Sequence, residues 1–267
     1  MRIIRFLDAQ GQIHLGVPDG NGQAQLVTGE VSGPYAVTER RLAITKLLAP
    51  VQPTAILCIG LNYRQHAAET NAKIPDFPVL FLKNPAAVQN PGDPVELPRH
   101  LASQQVDYEC ELAIVIGRRA KNVSAARAID YVSGFTAAND VSARDWQRQW
   151  GGSQWCRGKT FDTFCPLGPV LVTPDEIGDP NTLNIQTRVN GQTLQKSNTS
   201  DMIFSVEKII EFLSGSTTLL PGTVILTGTP EGVGMARQPP VWLKPGDKME
   251  VEIEKIGILA NPVIEER

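Results

Sequence analysis

The chain has 267 residues and a mass of 29.1 kDa, with 25 Lys and Arg against 28 Asp and Glu, a formal net charge of -3 and a pI near 5.7. That balance leaves no electrostatic footprint for nucleic acid, and 42% hydrophobic with 20% charged residues excludes disorder, collagen and coiled coil. A chain of this mass buries roughly 70–75% of the surface of its extended form, so neither a disulfide nor a structural metal is needed merely to hold it together. The four cysteines, Cys58, Cys110, Cys156 and Cys165, form no Cys-x-x-Cys pair and read as reduced thiols. The first apolar run is too short for a secretory segment and meets Asp8 at once, and no stretch reaches the ~18 apolar residues of a membrane span. A cytoplasmic location with no membrane partner is therefore expected.

The first fifty residues alternate short apolar runs with Gly, Asn and Asp, the pattern of a small β-rich unit built on tight turns. We expect that unit over residues 1–52 and a catalytic domain over residues 53–267. Strands are predicted at residues 55–59, 79–82, 108–116, 170–172, 223–226 and 249–253. Asn190-Gly191 between two strand-like runs is a strong hairpin signal, because both residues accept positive φ. Helical periodicity over residues 62–70, 124–129, 142–150 and 205–213 is too sparse to alternate with every strand. This predicts neither a TIM barrel nor a Rossmann fold but a mainly β, α+β class with antiparallel or mixed pairing.

Chemistry concentrates in a few places. Glu109 and Glu111 lie two apart in a strand pattern, hence on one face, where two carboxylates resist joint ionisation unless a cation sits between them. Carboxylates without Cys or His partners favour a hard ion over zinc; the alternative is an edge strand whose acids face water. Asp140 ends the strand-like segment 135–140 and either joins that pair or caps the helix that follows. Arg144 and Gln147 share a helix face, and Arg suits a bidentate grip on a substrate carboxylate, though a solvated surface gives the same spacing. Gly158-Lys159-Thr160 invites a phosphate-loop reading, which fails because Ser153 stands where the first Gly is required. Lys159 is then a surface residue or a cation beside the acids, oriented by Asp162 and able to stabilise an enolate. His66 and Glu69, at i and i+3, make a candidate general base, with the Pro-rich run beyond as a lid. The turn 227–234 offers backbone N–H groups and the Thr229 hydroxyl to a substrate oxygen.

Taken in order, Gly60-x-Asn62-Tyr63-x-x-His66-x-x-Glu69, Glu109-x-Glu111, Asn139-Asp140-Val141-Ser142-Ala143-Arg144-Asp145, Gly158-Lys159-x-x-Asp162-x-Phe164-x-Pro166-x-Gly168-Pro169 and Gly228-Thr229-Pro230-x-Gly232-Val233-Gly234 resemble the fumarylacetoacetate hydrolase family. The resemblance spans roughly residues 55–265, and Trp146-Gln147 with residues 158–169 looks most like the branch containing oxaloacetate tautomerases. It implies a mixed β-roll catalytic domain, a homodimer, and Mg²⁺ or Mn²⁺ held by Glu109, Glu111 and Asp140. It further implies that Lys159 assists at the metal, that His66 and Glu69 form a lid-borne acid/base pair, and that Thr229 contacts substrate. Leu61 stands where many relatives carry a basic residue. The expected activity is enolisation of a small 2-oxo di-acid, with oxaloacetate keto–enol tautomerisation ahead of acylpyruvate-type C–C hydrolysis and of decarboxylation. A non-catalytic metal-binding protein is the alternative from another class; a structural ion has no use for His66, Glu69 and Lys159.

Overall fold

The computed structural model describes residues 1–31 and 33–267. Its centre is the strand Cys110–Ile116, buried along its whole length. Such a strand needs hydrogen-bonding neighbours on both edges and cover on both faces. Val132–Asn139 pairs antiparallel along one edge, with Cys110 opposite Asn139 and Leu112 opposite Ala137. Thr223–Leu226 pairs antiparallel along the other and itself runs parallel to Ala55–Gly60. Beyond Val132–Asn139 lie Cys165–Val172 and then Arg2–Leu7, through which the N-terminal strands join the same 12-stranded sheet. The sheet stays open, its path ending at Tyr35–Ala43 on one side and Val79–Lys83 on the other. A second, five-stranded sheet is built on the Asn184–Val189 and Gln192–Asn198 hairpin. Its turn residues Asn190 and Gly191 have φ of 52° and 78°, as a two-residue hairpin loop requires. The architecture is thus the mixed, strand-rich α+β fold expected.

Strand alternation sorts the core into two faces. Cys110, Leu112, Ile114 and Ile116 pack with Ile185, Val251 and Ile253 of the second sheet and with Ile209, Ile210 and Leu213 of the helix Val206–Ser214. Ala113 and Val115 face the opposite way, with Cys58, Phe81, Leu167 and Leu226. Continued outward by period two, that second face is the one that carries Glu111 and Glu109.

Several elements differ from expectation. The segment 142–150 is not one helix: Ser142–Ala143 forms a short ladder with Val106–Asp107, and Trp146–Trp150 is a π-helical turn. Backbone pairing to residues 106–107 takes its first two residues out of any helix. The helix near residue 62 is confined to Arg64–Glu69, and residues 125–131 are 3₁₀ rather than α. Tyr35–Ala43 is a strand that the apolar pattern does not announce, because most of its side chains face solvent.

Candidate active site

The antiparallel register that sets Cys110 opposite Asn139 places Glu109 beside Asp140, and the Asp140 N–H donates to the Glu109 carbonyl at 2.9 Å. Glu109, Glu111 and Asp140 each bring a carboxylate oxygen within 4.8 Å of the others, all three residues buried. The edge-strand and helix-cap alternatives for these acids are therefore not what the chain adopts. Lys159 sits at the end of the short helix Cys156–Lys159 and donates to Glu109 Oε2 at 2.6 Å and Asp140 Oδ2 at 2.7 Å. Asp162 does not orient it; that side chain is exposed beyond the turn, and the Lys159 ammonium is held by the two acids and lies 5.0 Å from the centroid of the Phe81 ring.

Lys83 was not singled out by the sequence, yet its ammonium is fully buried and donates to Asp140 Oδ1 at 2.5 Å and to the Val141 carbonyl at 3.2 Å. The available signal is alternation: Phe81 and Lys83 are the buried positions of an edge strand whose Leu80 and Leu82 face out. Asp107 was also unassigned. It accepts from Arg144 Nε at 2.9 Å and from the N–H groups of Tyr108, Gly234 and Met235.

Arg144 and Gln147 do share a face, since Arg144 Nη1 donates to Gln147 Oε1 at 2.9 Å. The guanidinium is nevertheless committed to protein acids: Nη2 lies 2.9 Å from Asp107 and 2.6 Å from Glu109. Arg144 thus braces Glu109 while lining the cavity, and its Nη2, within ion-pair distance of both acids, has no hydrogen bond among the described residues. Four buried carboxylates, Asp107, Glu109, Glu111 and Asp140, face three buried cations, Lys83, Arg144 and Lys159. Among the described residues Glu111 is the acid of the four that forms no ion pair, its Oε2 accepting from the Gly228 N–H at 2.6 Å. Burial pushes its carboxyl well above the usual range, and Asp140 and Glu109 push it further. Burial acts on Glu109 too, but Arg144 and Lys159 outweigh it and hold that carboxyl below the usual range. Three converging carboxylates with one unbalanced charge and only oxygen donors suit a hard divalent cation.

The helix Arg64–Glu69 lies against this cluster. His66 Nδ1 is 2.7 Å from Glu69 Oε1, which leaves Nε2 for the cavity that His66 lines. Glu69 Oε2 accepts from the Gly232 N–H at 2.9 Å, pinning the helix to the glycine-rich turn. Of the run that follows, Thr70 and Ala72 reach the cavity, whereas Phe77 stacks on Phe212 at 6.1 Å. The covering element is therefore the helix itself rather than the Pro-rich segment. Asn62 anchors it, donating to the carbonyls of Thr227 and Phe204 and accepting from the Phe204 N–H. Close packing there requires Gly228, at φ 99°, where a Cβ would come within 2.7 Å of the Asn62 Cβ.

Thr229 closes the cavity. Its hydroxyl accepts from Gln195 Nε2 at 2.8 Å, so its own proton is free for an oxygen in the cavity. Gln195 is fixed in turn by the Cys110 N–H and the Thr187 hydroxyl, both donating to its Oε1. The enclosed volume, about 250 Å³, brings together His66, Glu109, Glu111, Lys159 and Thr229. Larger grooves of about 490 and 610 Å³ line the N-terminal strands without any such convergence of acids and bases.

Comparison with known proteins identifies the family of the chain. Residues 55–264 match the family described as fumarylacetoacetate (FAA) hydrolase, C-terminal. A relative from Bos taurus named oxaloacetate tautomerase FAHD2A, mitochondrial, is 46% identical over 290 residues, covering 99% of this chain and 92% of the relative. Its Homo sapiens counterpart is 50% identical over 218 residues, 81% of this chain and 69% of the relative. Among solved structures, a 5-carboxymethyl-2-hydroxymuconate delta-isomerase from Mycobacterium smegmatis superposes with a TM-score of 0.87 at 40% identity, over 100% of both chains. A fumarylacetoacetate hydrolase from Exiguobacterium antarcticum does so with a TM-score of 0.87 at 37% identity, again over 100% of both. The expected cytoplasmic location does not stand, because these curated relatives are named mitochondrial; short apolar runs and reduced thiols do not tell one compartment from another. Full-length structural likeness, the family match over residues 55–264 and the relatives' identities agree, and the chain belongs to the fumarylacetoacetate hydrolase family of enzymes.

Proposed function

We propose that this protein is a divalent-metal-dependent oxaloacetate keto–enol tautomerase. The observation that carries the reading is the small cavity in which the acidic triad, Lys159 and the His66–Glu69 pair converge. Glu109, Glu111 and Asp140 are the residues to hold Mg²⁺ or Mn²⁺, whose Lewis acidity, when bound, lowers the free energy of a 2-oxo acid's enolate. His66, held by Glu69 through Nδ1, takes a proton from substrate C3 at Nε2 and returns one in the reverse direction. Lys159 spends two of its N–H donors on Glu109 and Asp140 and keeps the third for the developing 2-oxyanion, which then takes the proton carried by His66, so that the enol is complete and His66 is neutral again. No atom is gained or lost overall. Thr229 donates its free proton to a substrate oxygen, and the pinned helix Arg64–Glu69 limits water. Arg144 and Gln147 act in this scheme by holding Glu109 and the cavity wall.

We also propose a homodimer, supported by Leu80 and Leu82, about half exposed on an edge strand beside the exposed Phe77. The division into residues 1–52 and 53–267 belongs to the same reading. The test follows the enol absorbance of fresh oxaloacetate, and acetylpyruvate cleavage in parallel, with Mg²⁺ or Mn²⁺ and with chelator. Metal-dependent loss of the enol signal alone is the expected result. Cleavage of acetylpyruvate instead means C–C hydrolysis, and stabilisation by metal with no turnover of either means a structural ion.

A further inference from the structure

Oxaloacetate carries two carboxylates, and none of the residue roles above is assigned to the one distal to the 2-oxo group. The second is an anion entering a cavity already rich in acids, so it needs a cation of its own. Three cationic side chains line the cavity: Arg144, Lys159 and Arg148. Arg144 is enclosed by Asp107 and Glu109, and Lys159 by Glu109 and Asp140. Arg148 stands apart. It lies on the π-helical turn Trp146–Trp150, four residues beyond Arg144 and so on the same side of the helical segment. Its side chain is exposed, and among the described residues no carboxylate lies within ion-pair distance of it. Its recorded contact is neutral: Nη1 is 3.6 Å from the Met235 sulfur, a weak acceptor that is given up at little cost. Apart from His66, which the proposed chemistry uses as the base, the remaining wall carries no cation: Thr70, Gln147 and Thr229 are neutral, and Ile59, Leu61, Phe81, Trp155 and Met235 are apolar.

We propose that Arg148 receives the distal carboxylate, so that the cavity selects 2-oxo dicarboxylates over the corresponding monocarboxylates. The inference rests on the tautomerase reading for a 2-oxo dicarboxylate as the ligand, with its reacting end at the acids and His66. A guanidinium fork presents two parallel N–H donors to a carboxylate, and its position at the cavity mouth lets it close on the ligand after entry. Because Arg148 is exposed, the contact is screened by salt, and its worth lies in selectivity rather than in a large share of affinity.

The experiment uses the full chain loaded with Mg²⁺ and two stable, non-enolising ligands that differ only in the distal carboxylate, L-malate and L-lactate, with binding read by calorimetry. Oxaloacetate kinetics are followed on the same samples. The wild-type protein is expected to prefer malate by about 10-fold or more at low salt, and by less at 0.5 M salt than at 0.05 M, because the Debye length shortens from about 14 Å to about 4 Å. Arg148→Ala brings the preference to within about 2-fold, Arg148→Lys keeps most of it, and Arg148→Glu turns it against malate. For oxaloacetate, Arg148→Ala raises KM by about 10-fold and moves kcat less. A wild-type protein that does not distinguish malate from lactate, or a preference that survives Arg148→Ala, overturns the proposal. A preference that obeys Arg148 in a protein that does not turn over oxaloacetate leaves the proposal standing and removes the tautomerase reading instead.

Discussion

Two ionic clusters in this chain use the same chemistry and differ in where they sit. On the five-stranded sheet, Arg188 reaches Glu250 at 2.9 Å and Glu252 at 2.6 Å, with side chains 19–38% exposed. At the mouth of the strand Cys110–Ile116, Lys83, Arg144 and Lys159 meet Asp107, Glu109 and Asp140 at 2.5–2.9 Å, with side chains 0–6% exposed. Distance does not separate the two; solvent does. Water and salt screen the Arg188 pairs, which support the pairing of two strands by at most about 1 kcal/mol. Burial keeps the second cluster's charges strong and fixed, and among the described residues Glu111 forms no ion pair. A fold selected for stability alone gains nothing from that unbalanced acid, whereas a site that must hold a divalent ion beside an enolate requires it.

The largest effect is expected at the centre of the buried cluster. Lys159→Ala leaves Glu109 and Asp140 without their shared cation, so turnover falls at least about 100-fold and stability by about 3–5 kcal/mol. Steady-state kinetics and urea titration read the two separately, and an unaltered rate would remove Lys159 from the chemistry. Glu111→Gln has the opposite sign in the metal-free protein. At a pH high enough to ionise Glu111, removing the unbalanced charge raises stability by roughly 1–2 kcal/mol, while the thermal stabilisation by Mg²⁺ and the activity both disappear. A melting temperature that still rises with Mg²⁺ in this variant would take Glu111 out of the ion site.

The same residue sets a pH dependence. A carboxyl raised in the folded state favours folding below its ordinary value of 4.5, and that contribution fades as pH rises through the higher folded value. The metal-free protein is therefore expected to lose stability on this account as pH climbs from about 4.5, and Mg²⁺ to restore more of it the higher the pH, because ion and proton compete for Glu111. Melting curves across pH, with chelator and with Mg²⁺, carry the comparison; a stabilisation by Mg²⁺ that does not grow with pH contradicts it. Thr229→Val keeps volume and removes one hydroxyl, so kcat/KM is expected to drop about 10-fold with little change in stability. Smallest of all, Arg188→Ala should shift stability by no more than about 1 kcal/mol, an effect that shrinks further in salt. A larger loss there would show that exposure does not divide the clusters after all.

Much of the site was legible because its chemistry follows backbone periodicity. Glu109 and Glu111 share a face by the two-residue period, and Asp140 reaches them through one antiparallel register. The i,i+3 spacing of His66 and Glu69 became a contact of 2.7 Å for the same kind of reason. The hairpin at Asn190-Gly191 and the helix starting beyond Ser205 were equally local, set by turn and cap residues. What was not legible depends on partners far apart in sequence. Lys83 ends an apolar edge strand, where a lysine reads as a solvent-facing terminus, and only its contact with Asp140, 57 residues away, reveals its place. Arg144 shows the converse: spacing located its face but not Asp107 and Glu109, which occupy it. Tyr35–Ala43 stayed hidden because exposed strands carry no apolar alternation to find.

The most direct measurement is the rate of oxaloacetate enol decay against Mg²⁺ concentration for the wild-type protein and His66→Ala, with the melting temperature of each followed over the same titration. The expected result is a saturable, Mg²⁺-dependent rate that His66→Ala loses while its melting temperature still rises with the ion. A wild-type rate equal to that of buffer with the same Mg²⁺, at concentrations where the melting temperature has already shifted, would contradict the claim that this buried cluster and its histidine are built for enolisation.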